Sequence, residues 1–188
     1  MRVLSKLAAI ILMAAVGSPA HAAEMKTFFG IDAVDMESTL DYSNGTETYE
    51  YTGVRLRYGL EAREGGSAGI EIMPAMDDEQ IDPFGDLFEL AIGPSLAAYF
   101  TIGKPVYLRL GFSFTEFEYT HVASGISDKD TASAIELGLG FNISPSENLT
   151  FYGEYLRRDS GELILETFFF GEIDQVSDMV SLGVNFRF

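Results

Sequence analysis

The sequence predicts an all-β chain folded as one eight-stranded antiparallel up-and-down transmembrane β-barrel. Three observations carry this expectation: apolar residues recur at every second position through several segments of nine or more residues, short turn-like connections alternate with long acidic ones, and the chain opens on a segment ordered like an export leader. The period of two matters most. On a strand it sets the apolar residues on one face and the polar or tiny ones on the other.

Residues 1 to 22 contain basic Arg2 and Lys6, an apolar run from Leu7 to Val16, and the small-residue triplet Ala20-His21-Ala22. That order is a secretory leader with cleavage expected after Ala22, leaving residues 23 to 188 as a single barrel domain. The apolar run is half the roughly twenty residues a membrane helix needs. Beyond it no apolar stretch is long enough for such a helix, so any crossing must use strands.

The first strand is assigned to Thr27 to Tyr42; its alternation breaks near Val34-Asp35, which leaves Met36 onward open to assignment to a hairpin above the membrane. In the second, Val54, Leu56, Tyr58 and Leu60 oppose Gly53, Arg55, Arg57 and Gly59. A third, weaker segment runs from Ala68 to Met76. In the fourth, Phe88, Leu90, Ile92, Pro94, Leu96 and Ala98 oppose Glu89, Ala91, Gly93, Ser95 and Ala97. The fifth sets Val106, Leu108, Leu110, Phe112 and Phe114 against Tyr107, Arg109, Gly111, Ser113 and Thr115. The sixth sets Ile135, Leu137, Leu139, Phe141 and Ile143 against Glu136, Gly138, Gly140 and Asn142. A seventh, weaker strand covers Leu149 to Arg158; the last sets Val180, Leu182, Val184, Phe186 and Phe188 against Met179, Ser181, Gly183, Asn185 and Arg187. Segments this long suit tilted strands crossing a bilayer, whereas soluble sandwiches favour five or six residues.

Glu61 to Gly66, Thr101 to Pro105 and Ser144 to Asn148 are short and rich in Gly, Pro or Ser, as tight turns are. Asp77 to Asp86, Thr120 to Asp130 and Asp159 to Gln175 are longer and acidic. This asymmetry is the one expected of outer-membrane barrels, with the short turns and both chain termini periplasmic.

The chain has 12 basic and 29 acidic residues, and the leader removes two of the basic ones. Such negative charge repels nucleic acid, which is excluded as a partner. There is no cysteine, so neither disulfides nor thiol chemistry contributes and the closed hydrogen-bond network of a barrel must hold the fold. No cofactor is expected.

Asp32, Arg55, Arg57, Glu71, Glu89, Arg109, Glu136, Glu154, Arg158 and Arg187 fall on the inward face in these registers. Eight strands enclose just enough space for side chains, so these groups are expected to pair into a charge network that fills the lumen. Inward glycines leave room for the long arginines. In the acidic loops, Asp77-Asp78-Glu79 has oxygen ligands for a hard cation but lacks the EF-hand spacing, and solvated charge is the default. Leu163-Ile164-Leu165 and Phe168-Phe169-Phe170 interrupt the last acidic loop; they are either an exposed contact patch or the buried ends of lengthened strands.

At this point the chain resembles the small OmpA/OmpX-like outer-membrane β-barrel superfamily, often described as a porin family. The resemblance rests on the closing stretch Val180 to Phe188 and on Tyr152-Gly153-Glu154-Tyr155-Leu156-Arg157-Arg158, similar to the penultimate strand of that group. It implies that Val184, Phe186 and Phe188 form the signal read by the barrel-assembly machinery. It also implies a bacterial outer-membrane protein in contact with membrane lipid and lipopolysaccharide, and it transfers no active site. A monomer is expected, with its surface partner left open.

The first functional reading is non-enzymatic: an integral barrel with a filled lumen, acting structurally or through acidic surface loops. The alternative is a narrow pore for small solutes or cations. A lipid-modifying hydrolase ranks third, because membrane lipid A deacylases share the eight-stranded form but carry a His-x-Ser motif. His121-Val122-Ala123-Ser124 has a different spacing, and His121 is read as a solvated loop residue.

Overall fold

The computed structural model describes residues 25–42, 45–62, 65–74, 88–121, 123–164 and 172–188, excluding some side chains at strand tips (40, 42, 45, 47, 88–90, 119, 121, 126, 128, 130, 161–164 and 172–173). The described residues form eight strands: β1 (Met25–Tyr42), β2 (Gly45–Ala62), β3 (Ser67–Met73), β4 (Phe88–Ile102), β5 (Val106–His121), β6 (Ile126–Ser146), β7 (Leu149–Ile164) and β8 (Glu172–Arg187). Each pairs antiparallel with its neighbours, and β8 returns to β1 to close a barrel. Following directly opposed residues around the wall, the path that leaves β2 at Gly59 comes back to it at Tyr49, a shear of ten residues. With eight strands, such a barrel is wide enough for its own side chains and little else.

The alternation explains the two faces. Leu108, Leu110, Ile135, Leu137, Leu139, Phe141, Val180 and Leu182 all point outward and are exposed, while Tyr107, Arg109, Glu136, Met179 and Ser181 are buried inside. An exterior this apolar is stable only against hydrocarbon, and the inward polar groups never meet it. The turns β2–β3, β4–β5 and β6–β7 share one end of the barrel, the turn end, with the first residues of β1 and the last of β8. The opposite, loop end carries the other four connections.

Toward the loop end the exterior changes character. Asp35, Glu37, Asp41, Glu50, Asp174 and Asp178 face outward there, Glu37 lying directly between Glu50 on β2 and Asp178 on β8. Asp41 likewise faces Asp174. Arg157 reaches Asp178 at 3.4 Å, and Lys129 is held at 2.9 Å from Glu116 and 3.2 Å from Glu118. These hydrogen bonds raise the Lys129 ammonium above its ordinary value.

Several expectations need correction. β1 does not break at Val34-Asp35; its alternation continues to Ser38, with Val34 and Met36 turned inward and Asp35 and Glu37 outward. The polarity of the two faces inverts, because the strand has left the hydrocarbon while the lumen beside it is apolar. In β4 the pairing with β5 shifts between Ile92 and Ser95, so Ile92, expected to face outward, is buried inside together with Ser95 and Ala97. A one-residue slip exchanges the faces beyond it. The Glu89 side chain lies outside the described residues, although its backbone pairs with Thr120. The expected loop from Thr120 to Asp130 is mostly strand, with Thr120 opposite Ser127 and His121 opposite Ile126. β7 and β8 also run on beyond Arg158, pairing Leu163 with Ile173 and Ile164 with Glu172. Leu165, Phe168, Phe169, Phe170 and the run Asp77 to Asp86 lie outside the described residues.

Candidate functional site

The lumen is built in layers, because each strand delivers its inward residues in order along the barrel. The middle layer is ionic. Arg55 from β2 donates to Asp32 of β1 at 2.7 Å, to Glu71 of β3 at 3.2 Å and to Glu154 of β7 at 3.0 Å, and its terminal nitrogen also reaches Ser181 of β8 at 2.9 Å. Arg109 of β5 donates to Glu71 at 2.8 Å, to Glu136 of β6 at 2.7 Å and to Glu154 at 3.1 Å. Arg57 donates to Glu154 and stands 3.4 Å from Asp32. Arg158 completes the set through Glu136 at 2.8 Å and Thr115 at 3.3 Å. Four guanidiniums thus meet four carboxylates, with every member nearly inaccessible to solvent. The sum of charge is zero, as a buried cluster in low dielectric requires.

Tyrosines hold this layer from below. Tyr107 donates to Glu154 and Tyr152 to Asp32, each at 2.9 Å. The Tyr99 ring lies 4.3 Å from the Arg109 guanidinium and 5.4 Å from that of Arg57, and Tyr152 lies 4.6 Å from Arg57. Inward glycines make room for these rings: a Cβ on Gly140 would collide with Tyr107, and one on Gly183 with the Tyr152 hydroxyl. The tyrosines as well as the arginines use the space that the glycines leave.

At the turn end Arg187 forms a separate pair. Its guanidinium grips Glu61 of β2 at 2.7 and 2.8 Å and Ser144 at 3.2 Å, while Lys104 approaches Glu61 at 3.3 Å. Between this floor and the ionic layer lies a small polar chamber lined by Phe28, Tyr99, Tyr107, Tyr152, Asn142 and Asn185, with room for about one water molecule. Toward the loop end the ionic layer gives way to an apolar one of Val34, Met36, Tyr51, Met73, Ile92, Phe117, Ala132, Leu156 and Met179. Ser38, Ser177 and Gln175 cap that layer with hydrogen bonds of 3.0 and 2.9 Å.

Of the ten residues assigned to the lumen, Asp32, Arg55, Arg57, Glu71, Arg109, Glu136, Glu154 and Arg158 meet in one cluster. Arg187 stands apart with Glu61, a residue assigned to a turn, and the Glu89 side chain is not described. Tyr107 falls on the inward face by alternation, opposite Gly140, whereas Glu61, Tyr99 and Tyr152 are not assigned to the lumen by the sequence. Of the apolar layer, Met179 falls on the inward face by alternation; the layer as a whole does not follow from sequence, because an apolar residue in an outer-membrane strand reads first as lipid-facing. Among the closing residues, Phe186 and Phe188 are exposed on the outer face, and the Phe188 amide donates to the Thr27 carbonyl at 3.0 Å. The His121 side chain lies outside the described residues. Among the described residues no group of three His, Asp or Glu is arranged to hold a metal ion.

The fold is shared with solved outer-membrane barrels of low sequence identity. Neisserial surface protein A is 14% identical, with a TM-score of 0.58 over 85% of this chain and 97% of that one. The attachment invasion locus protein Ail of Yersinia pestis, in complex with the heparin analogue sucrose octasulfate, is 15% identical, with a TM-score of 0.56 over 88% and 99%. OprG of Pseudomonas aeruginosa is 11% identical, with a TM-score of 0.53 over 89% and 97%. No curated protein sequence matches the chain. The family model for the outer membrane protein beta-barrel domain matches residues 8–188. A closed barrel with a hydrocarbon-facing exterior and that match over nearly the whole chain lead to one conclusion: this protein belongs to the outer membrane protein β-barrel family.

Proposed function

We propose that the protein is a non-conducting outer-membrane barrel that acts structurally and through its acidic loop end. The observation that carries this reading is the filled lumen, where a charge-balanced ionic layer in which each guanidinium has at least one carboxylate partner is followed by a packed apolar layer. On this reading residues 1–22 are a leader removed on export. The turn end faces the periplasm, the loop end faces outward, and the row Val184, Phe186 and Phe188 is read by the barrel-assembly machinery.

Ail is found with a polyanion, but the same partner is a poor match here. The chain carries a formal charge of −17, and its loop-end exterior presents Asp35, Glu37, Asp41 and Glu50. Charge complementarity favours a cationic partner, or lipopolysaccharide phosphates bridged by divalent ions. The deciding experiment is planar-bilayer recording of refolded protein. Silent membranes containing folded barrel are expected, whereas steady nanosiemens steps would replace this reading with the narrow pore.

A further inference from the structure

The ionic layer has two unlike neighbours. Toward the turn end is the chamber, whose lining includes Arg57 and Asn185; Arg57 Nε stands 3.5 Å from Glu71 Oε2 in the ionic layer, and Asn185 Oδ1, a buried acceptor, has no hydrogen-bond partner among the described residues. Arg57 is buried to within 4% of complete inaccessibility. A buried acceptor on a residue beside a space for one water molecule is satisfied by water. The chamber is also lined by the turn residues Gly66, Gly103 and Lys104, which links it to the mouth of the barrel.

Toward the loop end the lining becomes mostly apolar. On three strands an apolar residue succeeds the last charged one of the ionic layer: Val34 after Asp32, Met73 after Glu71 and, past Gly53, Tyr51 after Arg55; on β7 Leu156 lies between Glu154 and Arg158. Met179 similarly follows Ser181 and lies opposite Met36. Among the described residues the Arg158 to Glu136 pair climbs beside this layer, along the β6–β7 wall. Tightly packed apolar side chains offer water no hydrogen bond, and a narrow apolar constriction excludes ions by staying dry.

We propose that the methionine-rich apolar layer, and not the ion-pair layer, is the seal of the lumen. Water enters from the turn end as far as Arg57, wets the underside of the ionic layer, and stops where Leu156 and Met179 begin. The ion pairs fix the geometry of the barrel interior, and the apolar layer insulates. This rests on the filled-lumen reading above and adds to it where the barrier stands.

The test is salt leakage from vesicles carrying refolded full-length protein, with folding checked by heat-modifiable migration. Leu156→Asn with Met179→Gln keeps volume while adding hydrogen-bonding groups to the apolar layer; Val34→Thr with Met36→Gln is the second variant should the first fail to fold. Asp32→Asn with Arg55→Gln removes one opposed charge pair from the ionic layer. The apolar-layer variant is expected to leak about tenfold or more above the parent, as a wetted constriction conducts, and the ionic-layer variant to match the parent. Leakage through the ionic-layer variant, or tight vesicles with both variants folded, overturns the proposal. Leakage through the parent instead defeats the filled-lumen reading itself.

Discussion

The Tyr107 hydroxyl donates to Glu154 at 2.9 Å from two strands away around the barrel wall. That carboxylate also accepts from Arg55, Arg57 and Arg109, so it ties together more of the lumen than any other acid described here. Glu154→Gln should therefore lower unfolding stability by about 3–5 kcal/mol, the cost of stranding a buried charge. Tyr107→Phe should cost about 1.5–3 kcal/mol, as loss of a hydrogen bond to a charged group does. Urea unfolding in phospholipid vesicles measures both, and the double variant should lose less than the sum, because the two groups share one network. A Glu154→Gln barrel as stable as the parent contradicts the arrangement.

Leu110 lies on the outer face of β5, opposite Leu137 of β6 and Phe100 of β4. Leu110→Arg should cost about 2–4 kcal/mol if that face meets mid-membrane hydrocarbon. The same change at Thr131, outward on β6 near the loop end, should be tolerated. Equal stability losses at the two sites would show that the hydrocarbon boundary is drawn in the wrong place.

Lys129 sits beyond the apolar exterior, bonded to Glu116 and Glu118. Its raised value means that the protonated amine stabilises the hairpin fully below the ordinary lysine value of about 10.4, and that this contribution fades as pH rises through the higher one. Nitrogen-15 titration of the side chain should place it above ordinary lysine, and Glu116→Gln with Glu118→Gln should return it there. An ordinary titration in the parent rules out the pairing.

Phe188 is held by a backbone bond to Thr27 while its ring stays exposed. Phe188→Ala should leave refolding into vesicles unchanged within about 0.5 kcal/mol, the usual scale for surface changes. The same variant should accumulate less folded barrel in cells, if the assembly machinery reads that ring. Loss in both settings would mark the ring as structural, and loss in neither would remove it from recognition.

The strands that could be read from sequence are those whose two faces stay chemically unlike along their length. β5, β6 and β8 keep apolar side chains outside and small or polar ones inside across the membrane, so their registers follow from alternation alone. β4 could not be read this way, because the slip between Ile92 and Ser95 is marked only by Gly93-Pro94 and depends on its pairing with β5. In β1 the residues past Asp32 look like a broken pattern until the lumen beside them is known to be apolar. The charge cluster was legible as a set of inward residues, but its partners were not. Glu61 meets Arg187 only after closure brings β8 alongside β1.

That closure has a consequence for how the molecule is made. β1 and β8 lie at opposite ends of the described chain, and the bonds from Arg55 to Glu154 and Ser181 and from Tyr152 to Asp32 straddle the line where they join. Until the two meet, both carry rows of unpaired amides and carbonyls that would accept strands from any neighbouring copy. Pairing β1 with β8 removes both edges at once, so that one seam protects the whole wall from joining a second copy.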